Sequence, residues 1–239
     1  MKLEKKASTL TTTVIGTESN TYEIIREIKG MEDGEEVYII QLYPTVSIGN
    51  PERIDSTAQH LLNKMHEMKW KKVHLMNLYS MVALQKPKAG ELKNIDKENL
   101  AYIRKILSGA DAKAKIIIGW GNSLQTNKSA NESKLVLLEG LSGAQGKKKL
   151  WQIVADGMDI ELTGTHILFL GLRYSDSIWT LTEYPAKAEM DRLTKALLKN
   201  AGKEKQGKNK KAVPDKDAEK QDTENQEGKQ DVSEDSEQA

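Results

Sequence analysis

Residues 74–87 read HLMNLYSMVALQKP, from His74 to Pro87. The stretch continues a compact apolar run over Lys72–Leu78 and carries one amide, Asn77, where that run ends. A short, nearly continuous apolar segment bounded by polar residues predicts a strand covered on both faces. An amide buried there must find partners for both its donor and its acceptor. Asn77 therefore either ties two neighbouring loops together or contacts a ligand.

Working outward, three more segments read the same way: Glu36–Leu42, Ala114–Trp120 and His166–Gly171 (HILFLG). Upstream, residues 9–16 and 22–28 are extended runs around a polar Glu18-Ser19-Asn20 turn and predict a hairpin. Helical patterns lie between the strands. Ser56 and Gln59 match a capping box, followed by Ala58, Leu61, Leu62, Met65 and Met68 at helical spacing. Asp96 opens a second helix with Leu100, Ile103 and Leu107 on one face. Ser129–Asp156 is helical in pattern but holds Gly140, Gly143 and Gly146. An interior glycine costs ~1 kcal/mol against alanine, so two helices with a break are expected. Ala186–Asn200 closes the folded region as an amphipathic helix, with Met190, Leu193, Leu197 and Leu198 inward.

Strands alternating with helices predict an α/β fold: a three-layer α/β/α arrangement with a mainly parallel central sheet and an N-terminal β-hairpin. The expected domain spans residues 1–200. From Ala201 to Ala239 the 239-residue chain has no aromatic residue and no Leu, Ile or Met. That segment holds 8 lysines and 11 acids, a net of −3, against 28 basic and 24 acidic residues in the other 200. Ordering a residue costs ~1–2 kcal/mol of backbone entropy, which so little apolar surface does not offset; 201–239 reads as a disordered charged tail.

The chain has no cysteine, which excludes disulfides, thiolate catalysis and Cys-type zinc sites. Its N-terminus lacks an apolar stretch of signal-peptide type, and no window approaches 18 apolar residues. No membrane association and a cytoplasmic location are expected. The glycine-rich GLSGAQGKKK (Gly140–Lys149) fails as a phosphate loop, with Leu at 141 and Lys at 148. The four histidines, His60, His66, His74 and His166, show no metal-ligand spacing, and His74 and His166 fall at the strand ends away from the expected ligand site. No cofactor motif is present.

In open parallel sheets ligands bind beyond the carboxyl ends of the strands. Tyr43-Pro44-Thr45, Asn77-Leu78-Tyr79, Trp120-Gly121-Asn122 and Gly171-Leu172-Arg173 occupy those ends and should line one crevice.

In this order the same segments resemble a bacterial family, domain of unknown function 1643. LYPTVSIGNPERIDST is similar to its L-N-P-S-T-A…D-P-T signature, NLYSMVALQKP to N-L-F-x-x-R-A-T-x-P, and IIIGWGN to a-A-W-G. Leu92, Asp96 and Asn99 fit its next segment, and LFLGLRYSDSIWTLTEYP resembles its closing one, so the likeness runs from Val37 to Pro185. More distantly the pattern looks like the uracil-DNA glycosylase fold. That resemblance implies a water-holding position at Tyr43, retained Pro44 and Thr45, a D-x-T at Asp55 and Thr57, and a base-holding Asn at Asn77. It also implies departures. Gln59 and His60 replace two arginines, Val82 stands near a third, and Trp179 and Thr180 occupy the place of a late His-Pro motif. Lost electrostatic donors of that kind are worth on the order of 10²–10³ in rate each, which favours a binder over an active glycosylase.

Three functions follow as expectations. The first is binding of a nucleotide-like or single-stranded nucleic-acid ligand at Tyr43, Pro44, Asn77, Lys86, Trp120, Gly121 and Arg173. In it Trp120 stacks a ring, Asn77 reads an edge, and Lys86 and Arg173 lie near phosphate. The second is a hydrolase of glycosylase type, with Asp55 as base and Thr57 or Asn77 as orienting groups. The third is a protein-interaction module using the charged tail.

Overall fold

The computed structural model describes residues 3–88, 90–143, 148–159 and 163–210. Its elements run β1 (Thr9–Gly16), β2 (Thr21–Lys29), β3 (Glu35–Gln41), α1 (Ser56–Met65), β4 (Trp70–Asn77), α2 (Lys97–Gly109), β5 (Lys115–Ile118), α3 (Lys128–Ser142), β6 (Leu150–Ala155), α4 (Ile167–Arg173), β7 (Trp179–Glu183) and α5 (Ala186–Lys210). The strands form one seven-stranded sheet in the order β1-β2-β4-β3-β5-β6-β7.

The sheet is mixed rather than mainly parallel. β4, β3, β5 and β6 pair in parallel, while β1–β2, β2–β4 and β6–β7 are antiparallel. The hairpin accounts for one antiparallel side, because β2 folds back against β4. Alternate residues of the central strands enter two apolar clusters. Tyr38, Ile40 and Met76 join Leu100, Ile103, Leu137, Leu138 and Leu193. Val37, Ile39, Val73 and Leu75 join Leu61, Met65, Ile167 and Leu170. Period-2 alternation in the strands therefore assigns α2, α3 and α5 to one cluster and α1 and α4 to the other.

Four expectations change. HILFLG is not a strand: His166 caps α4, its Nδ1 accepting from Leu168 N–H at 3.1 Å, and Ile167, Leu170 and Gly171 are buried at helical spacing. A six-residue apolar run is ambiguous between a buried strand and a short helix, and here the cap decides. Residues 150–155 are strand β6 rather than the end of a helix; α3 stops at Ser142 and is capped by Gly143, so the glycine break marks a change of element. The cap of α1 is Asp55, not Ser56, with Asp55 Oδ1 accepting from Ala58 N–H at 2.7 Å. α5 runs on to Lys210, past the expected end at Asn200. The remainder of the tail, 211–239, lies outside the described residues. Elements up to Gly202 belong to one compact unit, and of the second, Lys203–Ala239, only the last turns of α5 are described. Among the described residues no helix is long and apolar enough to cross a membrane.

Candidate ligand cavity at the strand ends

β3 and β4 run in parallel register, placing Gln41 beside Asn77 at their carboxyl ends. Both share strand parity with core residues, Gln41 with Ile39 and Asn77 with Leu75, so both face the cluster that holds α1 and α4. On β2, Arg26 has the parity of Ile24 and faces the same way. These three polar residues form part of the wall of a cavity of about 490 Å³. The loop after β3 (Tyr43, Pro44, Thr45), the first turn of α1 (Asp55, Ser56, Thr57) and the start of α4 (His166, Phe169) complete it, with Leu84 and Lys86 at its edge.

The wall carries polar atoms without partners. Arg26 Nε, Gln41 Nε2 and Asn77 Oδ1 are buried and make no hydrogen bond among the described residues. Their residues are only 1%, 6% and 2% exposed, so bulk water does not satisfy them either. Leaving a buried polar group unpaired costs about 1–3 kcal/mol, and three of the seven such atoms among the described residues belong to this one wall. A larger open groove of about 830 Å³, between Leu150, Tyr184 and Met190, has no such atom on its lining.

Other groups here are already engaged. Arg26 donates to Thr12 Oγ1 at 2.6 Å and to the Arg53 carbonyl at 2.7 Å. Asp55 caps α1 through Oδ1, and its Oδ2 accepts from the Thr45 hydroxyl. With Nδ1 accepting from Leu168, His166 carries its proton on Nε2 while neutral. Burial pushes its pKa down to about 4, against a smaller opposing pull from the Asp55 carboxylate. The imidazole is therefore neutral at physiological pH. Burial also lowers the Arg26 pKa, opposed by Asp55, and raises that of Tyr43.

Of the nine residues singled out from the sequence, Tyr43, Pro44, Asp55, Thr57, Asn77 and Lys86 meet on this cavity. Trp120 and Gly121 line a separate hollow of about 170 Å³ with Tyr184, Glu189 and Arg192. The Trp120 indole is 2% exposed, edge-on to Tyr184 at 6.1 Å between centroids, with Lys134 Nζ 5.6 Å from its ring. Gly121 packs against His166, which lines the larger cavity. It has φ +63°, and a Cβ there would stand 3.2 Å from His166 Cβ. Arg173 is exposed at the end of α4 and is not on the cavity lining, although Leu172 is.

His166, expected at the far end of a strand, is on the cavity because its segment is a helix that starts there. Arg26, Gln41 and His166 were not singled out. A signal existed for two of them: Arg26 stands at a core-parity position of β2, and Gln41 ends its apolar run as Asn77 ends the next. Among the described residues no group of three or more His, Cys, Asp or Glu could hold a metal.

Fold and cavity together define an α/β protein with a polar hollow at the carboxyl ends of its parallel strands. The chain belongs to the family described as protein of unknown function (DUF1643), whose model matches residues 22–156. The match begins earlier than the expected Val37, taking in β2 and Arg26, and ends after β6. No curated protein and no solved structure matches the chain.

Proposed function

We propose that this protein binds a nucleotide-like ligand in the strand-end cavity. One observation carries the proposal: Gln41 and Asn77, side by side in register, present a free amide donor and a free carbonyl acceptor on one wall. A nucleobase edge offers the complementary acceptor and donor in one plane. The volume suits a nucleoside, since small-molecule sites occupy ~300–1,000 Å³. Tyr43 and Phe169 are the aromatic rings on the lining, and they take the stacking role expected of Trp120. Lys86, exposed at the edge, takes the outward end of a single-stranded chain when the ligand is a nucleic acid.

Calorimetric titration with nucleosides and with short single-stranded DNA tests this. Binding by the wild-type chain and its loss in Asn77→Leu is the expected result. Equal binding by both chains contradicts it.

A second reading, hydrolysis of a glycosidic bond, draws on Asp55, Thr57 and His166 lining the same cavity as Asn77. Against it, Asp55 already caps α1 and accepts from the Thr45 hydroxyl, a structural use of the same carboxylate. Free base released from a nucleoside, and its abolition in Asp55→Asn, would establish this activity. Asn caps helices about as well as Asp, so that variant keeps the start of α1.

A further inference from the structure

The wall that meets β2 holds a second, differently charged set of donors. Arg26 is 1% exposed, and no carboxylate among the described residues forms an ion pair with it. Its two terminal nitrogens hold Thr12 and the Arg53 carbonyl, which fixes the guanidinium and leaves Nε–H without an acceptor. A buried cation without a contacting anion is costly unless a ligand supplies one. The same cavity receives the N-terminus of α1. There Ala58 N–H is taken by Asp55 Oδ1 and Gln59 N–H by the Asp55 carbonyl. Ser56 and Thr57, the first two helical residues, keep free N–H groups among the described residues. Free amides at a helix start, with the positive end of the helix dipole, favour an oxyanion. Asp55 is the carboxylate whose charge acts on Arg26; its two oxygens accept from Ala58 N–H and the Thr45 hydroxyl, and it makes no ion pair with the guanidinium among the described residues.

We infer that Arg26 and the first turn of α1 form an oxyanion subsite, which seats the phosphate of a phosphorylated ligand inside the cavity rather than at its edge. This rests on the cavity being a ligand site, and with the nucleotide reading it makes the ligand a nucleoside monophosphate. Phosphate then enters on the β2 and α1 side while the base meets Gln41 and Asn77. The deep charge on Arg26, not Lys86 or Arg173, supplies the main phosphate contact.

The test is calorimetry on the full chain with three probes: inorganic phosphate, a nucleoside and its 5′-monophosphate. Two variants and a control accompany it. Arg26→Gln removes the charge. Ser56→Pro deletes one helix-start N–H with little threat to folding. Proline is favoured at the first helical position, and Asp55 before it is extended at φ −82° and ψ 174°. Exposed Lys187 lies outside this cavity, and Lys187→Ala serves as the control. The expected result is phosphate binding by the wild type and tighter binding of the monophosphate than of the nucleoside. Arg26→Gln should weaken the monophosphate about tenfold to a hundredfold, Ser56→Pro about three- to tenfold, and the control should leave it unchanged. Equal affinity for nucleoside and monophosphate, with both variants like wild type, overturns the subsite and leaves the nucleotide reading standing. Phosphate bound in this Arg26-dependent way, with the nucleoside adding nothing, upholds the subsite and overturns the nucleotide reading. No binding of any probe overturns both.

Discussion

Two in-register pairs on β3 and β4, three residues apart, make opposite use of polar side chains. Tyr38 beside His74 faces one apolar cluster, and Gln41 beside Asn77 faces the other. Around His74 all but one of the polar groups are provided for. Its Nδ1 is 2.5 Å from Glu23 Oε1, its Nε2 is 3.0 Å from Glu36 Oε1, and the Tyr38 ring stacks on it at 4.4 Å. The Nε2 contact falls outside hydrogen-bonding geometry, so Nε2 makes no hydrogen bond among the described residues. Tyr102 and Tyr38 hydroxyls donate to Glu23 and Glu36 at 2.7 and 2.8 Å. At the strand ends, Gln41 Nε2 and Asn77 Oδ1 are equally buried and have nothing. The network around His74 ties strands and α2 together; the pair at the strand ends borders a cavity instead. On the proposed reading, the same two strands separate structure from recognition by a shift of three positions.

The comparison breaks most visibly around His74. Glu23→Ala strips His74 of a carboxylate and leaves the Tyr102 hydroxyl unpaired, so stability should drop by about 3–5 kcal/mol in a denaturant titration. Asn77→Leu, at the strand ends, should change stability by about 1 kcal/mol or less, because it removes an unmatched acceptor and fills similar volume. Ligand affinity in that variant should fall about tenfold or more. If Asn77→Leu destabilises as severely as Glu23→Ala, the two pairs do not differ in kind.

Acid sharpens the contrast. Burial would raise the Glu23 pKa, but hydrogen bonds from His74 and Tyr102 outweigh it and hold the group below its ordinary value of 4.5. Glu36 is lowered too; burial there is outweighed by Tyr38, Lys72 and His74. A carboxylate with a lowered folded-state pKa stabilises above its unfolded value, and that stability is lost as pH falls through the folded one. Stability should therefore decline below about pH 4.5, with a shallower decline in Glu23→Gln, as read from unfolding midpoints across pH. His166, lowered to about 4, stays neutral above that, so ligand affinity should show no histidine titration near pH 6.5. The smallest effect belongs to the second hollow. Trp120→Phe should cost about 1–2 kcal/mol of stability and leave affinity within about twofold, since the indole packs on Tyr184 away from the cavity.

Much of this was legible in the chain. The hairpin, the strands at Glu36–Leu42 and Lys72–Leu78, the Asp96 cap and the crevice position of Asn77 follow from period, caps and strand-end logic, all local properties. HILFLG and Leu150–Ala155 were not legible, because short apolar runs fit either period and tertiary pairing with β5 and β7 selects the strand at 150–155. That error hid His166. Trp120 shows a different limit. Sequence made it the last residue of the strand, which stops at Ile118, and one residue of parity decides which face it takes: the face opposite Asn77. Arg26 lay in a strand whose alternation marked it as inward, a signal available only once β2 is known to pair with β4.

The most direct test of the central claim is a paired measurement on Asn77→Leu: its unfolding free energy, and its calorimetric affinity for a nucleoside monophosphate that the wild type binds. Stability within about 1 kcal/mol of wild type, with affinity reduced at least about tenfold, is the predicted outcome. Affinity unchanged in a stably folded variant would show that the unmatched amide wall does not recognise the ligand.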